Sequence, residues 1–242
     1  MIIEKLNWDS EFFGLKIGKV TIIRESEFDW RAFKEEACNE KFELIYVFKL
    51  RKMLSWKTVQ ETQLDLVDIQ LTMERKFNKD DVQIISYDFR THLTSDEKQD
   101  CYGIAEETAV VSRFYQEDKI GPVKTKQLYR KWIDNALNKS FSDGLFVNKE
   151  ANSVNGIHLI KTDRLNKIGY FTLTGVDPNY KRMGIGDKLW MQSFAYWANE
   201  SEIESVKSPF SFQNSESFHF HIKNGFKRIV ETKFIYHLRN TV

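Results

Sequence analysis

Apolar residues recur along this chain with two different periods, and the changes of period mark its elements. In "FDWRAFKEEACNEK" Trp30, Phe33, Ala37 and Cys38 share one helix face, whereas in "KFELIYVFKL" Phe42, Leu44, Tyr46, Phe48 and Leu50 alternate as in a strand. "VDIQLTMERKF" alternates again at Val67, Ile69, Leu71 and Met73, and a short further strand is expected over Val82–Ser86. Together these predict a small N-terminal α/β unit over residues 1–90. A polar seam, "DFRTHLTSDEK", separates it from a second domain over residues 95–242. There Ser95 or Asp96 is the expected N-cap of a helix, and "TKQLYRKWIDNAL" is a second, amphipathic one. The strands "GLFVNKE", "SVNGIHLIK" and "KIGYFTLTGV" follow. Then come a helix from Gly184 to Asn199, a strand over Glu204–Lys207, a helix from Asn214 to Asn224 and two closing strands, "FKRIVE" and "KFIYHLR". A strand, helix, strand succession implies a right-handed crossover and a parallel pair inside an otherwise antiparallel sheet, so the fold class is mixed α/β of the α+β type.

Composition narrows the function classes. Lys+Arg 36 against Asp+Glu 35 gives a net charge of +1, which offers no global field for nucleic acid or an anionic membrane. No apolar run reaches the length of about 20 residues that crosses a bilayer, and "MIIEKLNWDS" has no signal-peptide pattern. The cysteines, Cys38 and Cys101, are too few for a disulfide framework. A cytoplasmic protein is expected.

The densest chemistry lies in "TLTGVDPNYKRMGIGDKLW". A strand ends at Val176, Pro178 ends its ladder, and a basic turn with Gly184 and Gly186 opens a helix whose first N–H groups favour an anion. Lys181, Arg182 and Lys188 add positive charge, so the turn suits a pyrophosphate. A tight turn without a ligand is the competing reading. It is neither a Walker loop nor a dinucleotide fingerprint, because no Gly-Lys-Ser/Thr and no third glycine follow. Further on, "SFHFHIKNGF" carries His219 and His221. Asn214 as N-cap, Glu216 in the first turn and Asn224-Gly225 as a stop predict a helix. Residues two apart on a helix point ~200° apart, which argues against a metal pair; no metal is expected.

Val176-x-Pro178-x-Tyr180-Lys181-Arg182-Met183-Gly184-Ile185-Gly186-x-x-Leu189 resembles motif A of the GNAT superfamily of N-acetyltransferases, and the element order after Ser95 is similar to that superfamily's. The resemblance implies a central mixed sheet with a splayed parallel pair, and acetyl-CoA as cosubstrate. Its pyrophosphate would lie on the turn formed by Lys181, Arg182, Met183, Gly184, Ile185, Gly186 and Asp187. Its pantetheine arm would lie along Thr174, Gly175 and Val176. Lys181 stands where the superfamily usually has Gln or Arg. On the helix after Asn214, the resemblance gives Asn214 a bond to the pantetheine arm and makes Ser217 the small residue beside coenzyme A. His221 falls where a tyrosine often protonates the departing thiolate. It could serve as that general acid or only pack. His158, Glu106 and Glu107 are candidates for a base.

"LNWDSEFFGLKIGKV", "LVDIQLTMERK" and "SRFYQED" are similar to a subgroup of that superfamily, the bacterial dTDP-fucosamine (dTDP-4-amino-4,6-dideoxygalactose) acetyltransferases. That resemblance implies a nucleotide-linked amino sugar as the acceptor, a part in cell-surface polysaccharide biosynthesis, and a homodimer. Phe12 and Phe13 could then stack on base or sugar, or anchor the N-terminus in the core. Arg113 could clamp a diphosphate, or satisfy terminal carbonyls of a helix. Other amines, such as a protein N-terminus or a polyamine, and a degenerate acyl-CoA-binding domain without turnover are the competing functions.

Overall fold

Asp29 accepts a hydrogen bond from the Ala32 N–H and so starts the helix that the spacing of Trp30, Phe33 and Ala37 predicts. Around it the chain runs β1 (Glu4–Lys5), α1 (Asn7–Phe13), β2 (Ile17–Ile22), α2 (Trp30–Asn39), β3 (Leu44–Leu50), α3 (Trp56–Thr62) and β4 (Asp65–Lys76). The structure is a computed structural model that describes residues 2–83, 85–140, 142–200 and 202–239. It divides into two compact units: Met1–Leu71 with Phe210–Ser215 and Ile229–Val242, and Thr72–Pro209 with Glu216–Arg228. After β4 follow β5 (Phe89–Arg90), α4 (Ser95–Ala109), α5 (Gly121–Leu137), β6 (Gly144–Glu150), β7 (Ser153–Asp163) and β8 (Ile168–Val176). The chain closes with α6 (Ile185–Glu200), β9 (Ser205–Ser211), α7 (Ser215–Lys223) and β10 (Arg228–Arg239). Among the described residues no helix is long and apolar enough to cross a membrane.

In the first unit the strand order is β1-β2-β3-β10-β4. β2 and β3 are parallel, and β10 runs antiparallel to β3 from Lys233↔Leu50 to Arg239↔Leu44. Phe33, Ala37, Phe42, Ile45, Val47 and Tyr236 form its core, and the Tyr236 hydroxyl accepts from the Leu54 N–H at 3.1 Å. Because β10 pairs with β3, the last strand belongs with the N-terminal residues, and the division falls inside β4 rather than at the polar seam near residue 90. The two expected closing strands are one, since nothing in "VETKF" breaks a ladder. Residues 82–83 and 85–86 are not strand, and Ile84 lies outside the described residues.

In the second unit the order is β4-β9-β8-β7-β6-β5. β6, β7 and β8 form an antiparallel meander, and β8 pairs with β9 in parallel, as the crossover through α6 requires. Trp190, Phe194 and Trp197 of α6 are buried against one face, while Ile104 and Thr108 of α4 approach Gly175 on the other. The expected parallel pair in a mixed sheet is therefore present.

The N-cap of α4 is Thr94, one residue before the expected Ser95. Thr94 Oγ1 accepts from the Glu97 N–H and Glu97 Oε2 accepts from the Thr94 N–H at 2.7 Å, a capping box. Glu97 also accepts from Lys149 of β6, which ties the helix to the sheet. The Lys149 hydrogen bond, followed by the Thr94 N–H, holds the Glu97 carboxyl at about 2 against an ordinary 4.5. A depressed carboxylate contributes stability that is complete above about 4.5 and lost as pH falls toward about 2. Glu97→Gln should therefore cost about 1–2 kcal/mol at pH 7. The gap to the parent protein should narrow at pH 3, as read by urea unfolding at both pH values; an equal gap at both would refute the ionic role.

Candidate functional site

The site is built around the upper half of β8. β7 and β8 pair as Leu159↔Leu173 but then as Ile160↔Phe171, so Thr172 is an extra residue on β8. This bulge changes the parity of the strand. Without it Phe171 and Thr174 would point to opposite faces. With it both point to α6: Phe171 stacks on Trp197 at 5.5 Å, and Thr174 Oγ1 accepts from Trp190 Nε1 at 3.0 Å. Thr172 Oγ1 donates to the Leu159 carbonyl at 3.1 Å. Nothing in "YFTLTGV" signals the bulge.

The bulge lies two residues past the end of another ladder. β8 and β9 pair from Ile168↔Ser205 to Tyr170↔Lys207. Pro209, two residues beyond Lys207, has no N–H to extend it. The Asp177 N–H bonds to the Asn155 carbonyl at 2.9 Å. In an antiparallel ladder this alternation turns the Gly175 backbone toward β7 and the Thr174 and Val176 N–H and C=O groups to the opposite edge. These are the positions the sequence assigned to an extended ligand arm. Gly175 contributes differently: a Cβ there would lie 2.7 Å from Ile104 and 2.9 Å from Thr108, so its lack of a side chain admits α4.

After β8 a single 3-10 turn, Pro178–Tyr180, leads into an exposed bend. Arg182 (φ 65) and Gly184 (φ 78) are both left-handed and flank Met183 just before α6, and turns that alternate backbone hand in this way can gather successive N–H groups into an anion-binding concavity. Lys181, Arg182, Met183 and Gly184 are exposed, and Ile185 is buried. At Gly184 the need is conformational, since a Cβ would meet nothing within 4 Å. Gly186 is different: a Cβ would lie 3.1 Å from the Phe220 ring, so this position lets α6 and α7 touch. The Asp187 carboxylate accepts from Lys223 Nζ at 2.7 Å and Asn224 Nδ2 at 3.0 Å, which uses it to hold the end of α7.

α7 is the expected helix, with His219 exposed and His221 only 3% exposed. It stops in a Schellman motif: Gly225 (φ 82) donates to the Ile222 carbonyl and Phe226 donates to that of His221. This stop sets the buried Phe226 ring edge-on to His221 at 5.2 Å. Trp190 lies against Phe220, His221 and Phe226 at 4.5, 5.0 and 5.3 Å. The His221 ring makes two short contacts, Nδ1 to the Ser217 carbonyl at 2.6 Å and Nε2 to Ser208 Oγ at 2.7 Å. Burial lowers its pKa to about 4, with the Ser217 bond opposing, so the ring is neutral at pH 7. A carbonyl only accepts, so Nδ1 carries the proton and Nε2 accepts from the Ser208 hydroxyl. The expectation of a proton donor at His221 thus meets a ring arranged for acceptance. Ser208 gave no signal in the sequence; only the fold brings β9 against α7.

The candidate base His158 lies inside the sheet packing rather than at its surface. It is 0% exposed, and burial depresses its pKa to about 3. Its Nδ1 lies 2.9 Å from Thr174 Oγ1 and 3.2 Å from the Leu173 carbonyl, while Nε2 has no partner among the described residues. Its visible role is to hold Thr174. Glu106 is engaged by Arg130 and Lys126. The Cys101 thiol is pushed up to about 12 by burial and is no nucleophile. Asn214 immediately precedes α7. Phe12 stacks on Trp8 at 5.0 Å, Phe13 is buried edge-on to Phe12, and the Arg113 guanidinium covers Phe114 at 4.1 Å. Among the described residues no group of His, Cys, Asp and Glu is placed to hold a metal ion.

No family model and no curated protein matches the sequence. Solved structures do match the fold. A conserved protein of unknown function from Staphylococcus epidermidis aligns with a TM-score of 0.62 and 13% identity over 93% of this chain and 84% of its own. A GCN5-related N-acetyltransferase from Sphaerobacter thermophilus aligns with a TM-score of 0.57 and 11% identity over 93% of this chain and 74% of its own. A tandem GNAT protein from the clavulanic acid biosynthesis pathway also aligns at 0.57 and 11%, over 93% and 76%. The chain therefore has the fold of GCN5-related N-acetyltransferases.

Thr174 is the shared acceptor of the Trp190 indole and His158 in this structure. Thr174→Val keeps the shape and leaves a buried indole N–H unmet, which should cost about 1–3 kcal/mol. Thermal or urea unfolding followed by Trp fluorescence measures it, and a loss under about 0.5 kcal/mol would show that the bond does not hold the strand.

Proposed function

We propose that this protein is an acetyl-CoA-dependent N-acetyltransferase acting by direct transfer. The observation that carries the reading is the continuity of two features: a strand edge at Thr174 and Val176 that faces away from β7, and directly after it the left-handed N–H turn from Arg182 to Gly184 at the start of α6. An extended thioester arm can add its amides to the first, and its diphosphate fits the second, where fixed N–H groups and the helix dipole meet a dianion. Exposed Lys181 and Arg182 add attraction at the rim. Backbone N–H groups along the upper part of β8 would stabilise the oxyanion that forms when an amine attacks the thioester carbon.

For the acceptor we favour the amino group of a nucleotide-linked amino-deoxy sugar. The support is the N-terminal sequence "LNWDSEFFGLKIGKV" and the presentation of Trp8, which is 45% exposed and lies parallel to Phe12 at 7°. A domain that binds acyl-CoA without turnover has one observation in its favour: both nitrogens of His221 are already engaged within the protein.

Mixing the protein with acetyl-CoA, a thiol reagent and a panel of dTDP-4-amino sugars, polyamines and peptide N-termini separates these readings. Thiol release with the sugars is expected. Release only with another amine would move the acceptor class, and tight acetyl-CoA binding without release across the panel would leave the binding domain. Lys181→Ala and Arg182→Ala should each raise the Kd for coenzyme A about three- to tenfold, with a weaker dependence on salt. Calorimetry that finds the same Kd in both variants would remove these two side chains from the site.

A further inference from the structure

We infer that Ser208 and His221 form a proton relay where β8 and β9 part, with Ser208 as the catalytic residue that takes the proton of the attacking amine. The inference rests on the transferase reading above and adds a residue to it. Ser208 is the first residue of β9 past the last pair with β8, Tyr170↔Lys207, so it stands where the two strands part. It is 4% exposed and bonds through Oγ to His221 Nε2 at 2.7 Å. On the other side of the ring, Nδ1 gives its hydrogen to the Ser217 carbonyl at 2.6 Å. Hydroxyl, imidazole and a fixed acceptor are thus joined by two successive hydrogen bonds, and the carbonyl of α7 takes the place that a carboxylate holds in serine-histidine-aspartate sites. The Schellman stop at Gly225 and the rings of Trp190 and Phe226 keep the imidazole from turning. With its own hydrogen directed at Nε2, Ser208 has only lone pairs left to offer a substrate, and these accept a proton.

The step balances without a further reagent. The amine lone pair forms the C–N bond at the thioester carbon, and the carbonyl pair moves onto oxygen. One N–H proton passes to Ser208 Oγ while the Ser208 proton passes to His221 Nε2. The oxygen pair then re-forms the carbonyl, and the C–S bond breaks with its electrons on sulfur. The proton returns through Ser208 to the sulfur, giving an amide, the free thiol of coenzyme A and a neutral ring. The ring holds charge only between the two halves of the reaction, and one group serves first as base and then as acid.

The test uses the full chain labelled with 15N-histidine, acetyl-CoA as ligand, and dTDP-4-amino-4,6-dideoxygalactose and water as acceptors. His221 should show the Nδ1–H tautomer, and Ser208→Ala should shift its Nε2 resonance. Ser208→Ala and His221→Gln should each lower thiol release at saturating acetyl-CoA by about a hundredfold. The Kd for acetyl-CoA should stay within about threefold of the parent, and the double variant should fall no further than either single one. Ser208→Thr, which keeps the hydroxyl, should retain most of the rate. An Nε2–H tautomer at His221 overturns the relay whichever acceptor is used, and so does a Ser208→Ala enzyme with a rate within twofold of the parent. Absence of acetyl-CoA binding in the parent protein would instead overturn the transferase reading, while the tautomer still reports on the pair.

Discussion

Between β8 and β9 the parallel ladder holds from Ile168↔Ser205 to Tyr170↔Lys207 and then stops. Both strands contribute to the stop. On β8 the extra residue Thr172 turns the strand and inverts its faces, and on β9 Pro209 has no hydrogen to give. A ladder that ended for want of residues would leave a frayed edge. This one ends while β8 continues to Val176, still paired with β7 through Gly156↔Val176. The upper edge of β8 is therefore rigid and ordered on one side and turned outward on the other, the arrangement that lets an extended ligand bond to it as a strand would.

The same bulge decides which side chains support that edge. By bringing Thr174 onto the face of Phe171, it gives the Trp190 indole a hydrogen-bond acceptor, and Trp190 in turn packs against three residues of the α7 end. Gly186 lets α6 approach Phe220, and Asp187 binds Lys223 and Asn224 at the close of α7. The motif around "MGIG" thus has two tasks. Its first part, Arg182 to Gly184, shapes an open turn, and its second part, Gly186 and Asp187, docks the helix that carries His221. Replacement in the second part would move His221 without touching any residue of the turn.

How much of this the sequence could announce depends on the range of the causes. Short-range signals were legible: the Gly225 stop, the Pro178 exit, the helix of His221 and the strand alternation of β4 each depend on residues within a few positions. The pairing of β10 with β3 joins residues far apart in the chain, and so the expected boundary near residue 90 misplaced the closing strand. The Thr172 bulge has no composition of its own, since a bulge is fixed by what the partner strand does. His158 was one of three base candidates, and which of them lies inside the protein is a matter of register: opposite Thr174, His158 is completely buried. Ser208, the partner of His221, was invisible for the same reason as β10, because only tertiary packing sets β9 beside α7.

In the proposed reading, the charge distribution at the turn explains why its backbone would outweigh its side chains. Lys181 and Arg182 are exposed, and at a physiological Debye length of about 8 Å their attraction for a diphosphate is largely screened until the ligand arrives. They would speed encounter and add little selectivity. The backbone between Arg182 and Ile185 carries two residues of positive φ, Arg182 and Gly184, so the course of its N–H groups would be set before a ligand arrived. Arg182 adopts that conformation at a cost of roughly 1–2 kcal/mol that a glycine would avoid. An arginine there combines the strained backbone that shapes the turn with a guanidinium at its mouth, and neither glycine nor a residue with an ordinary φ would supply both.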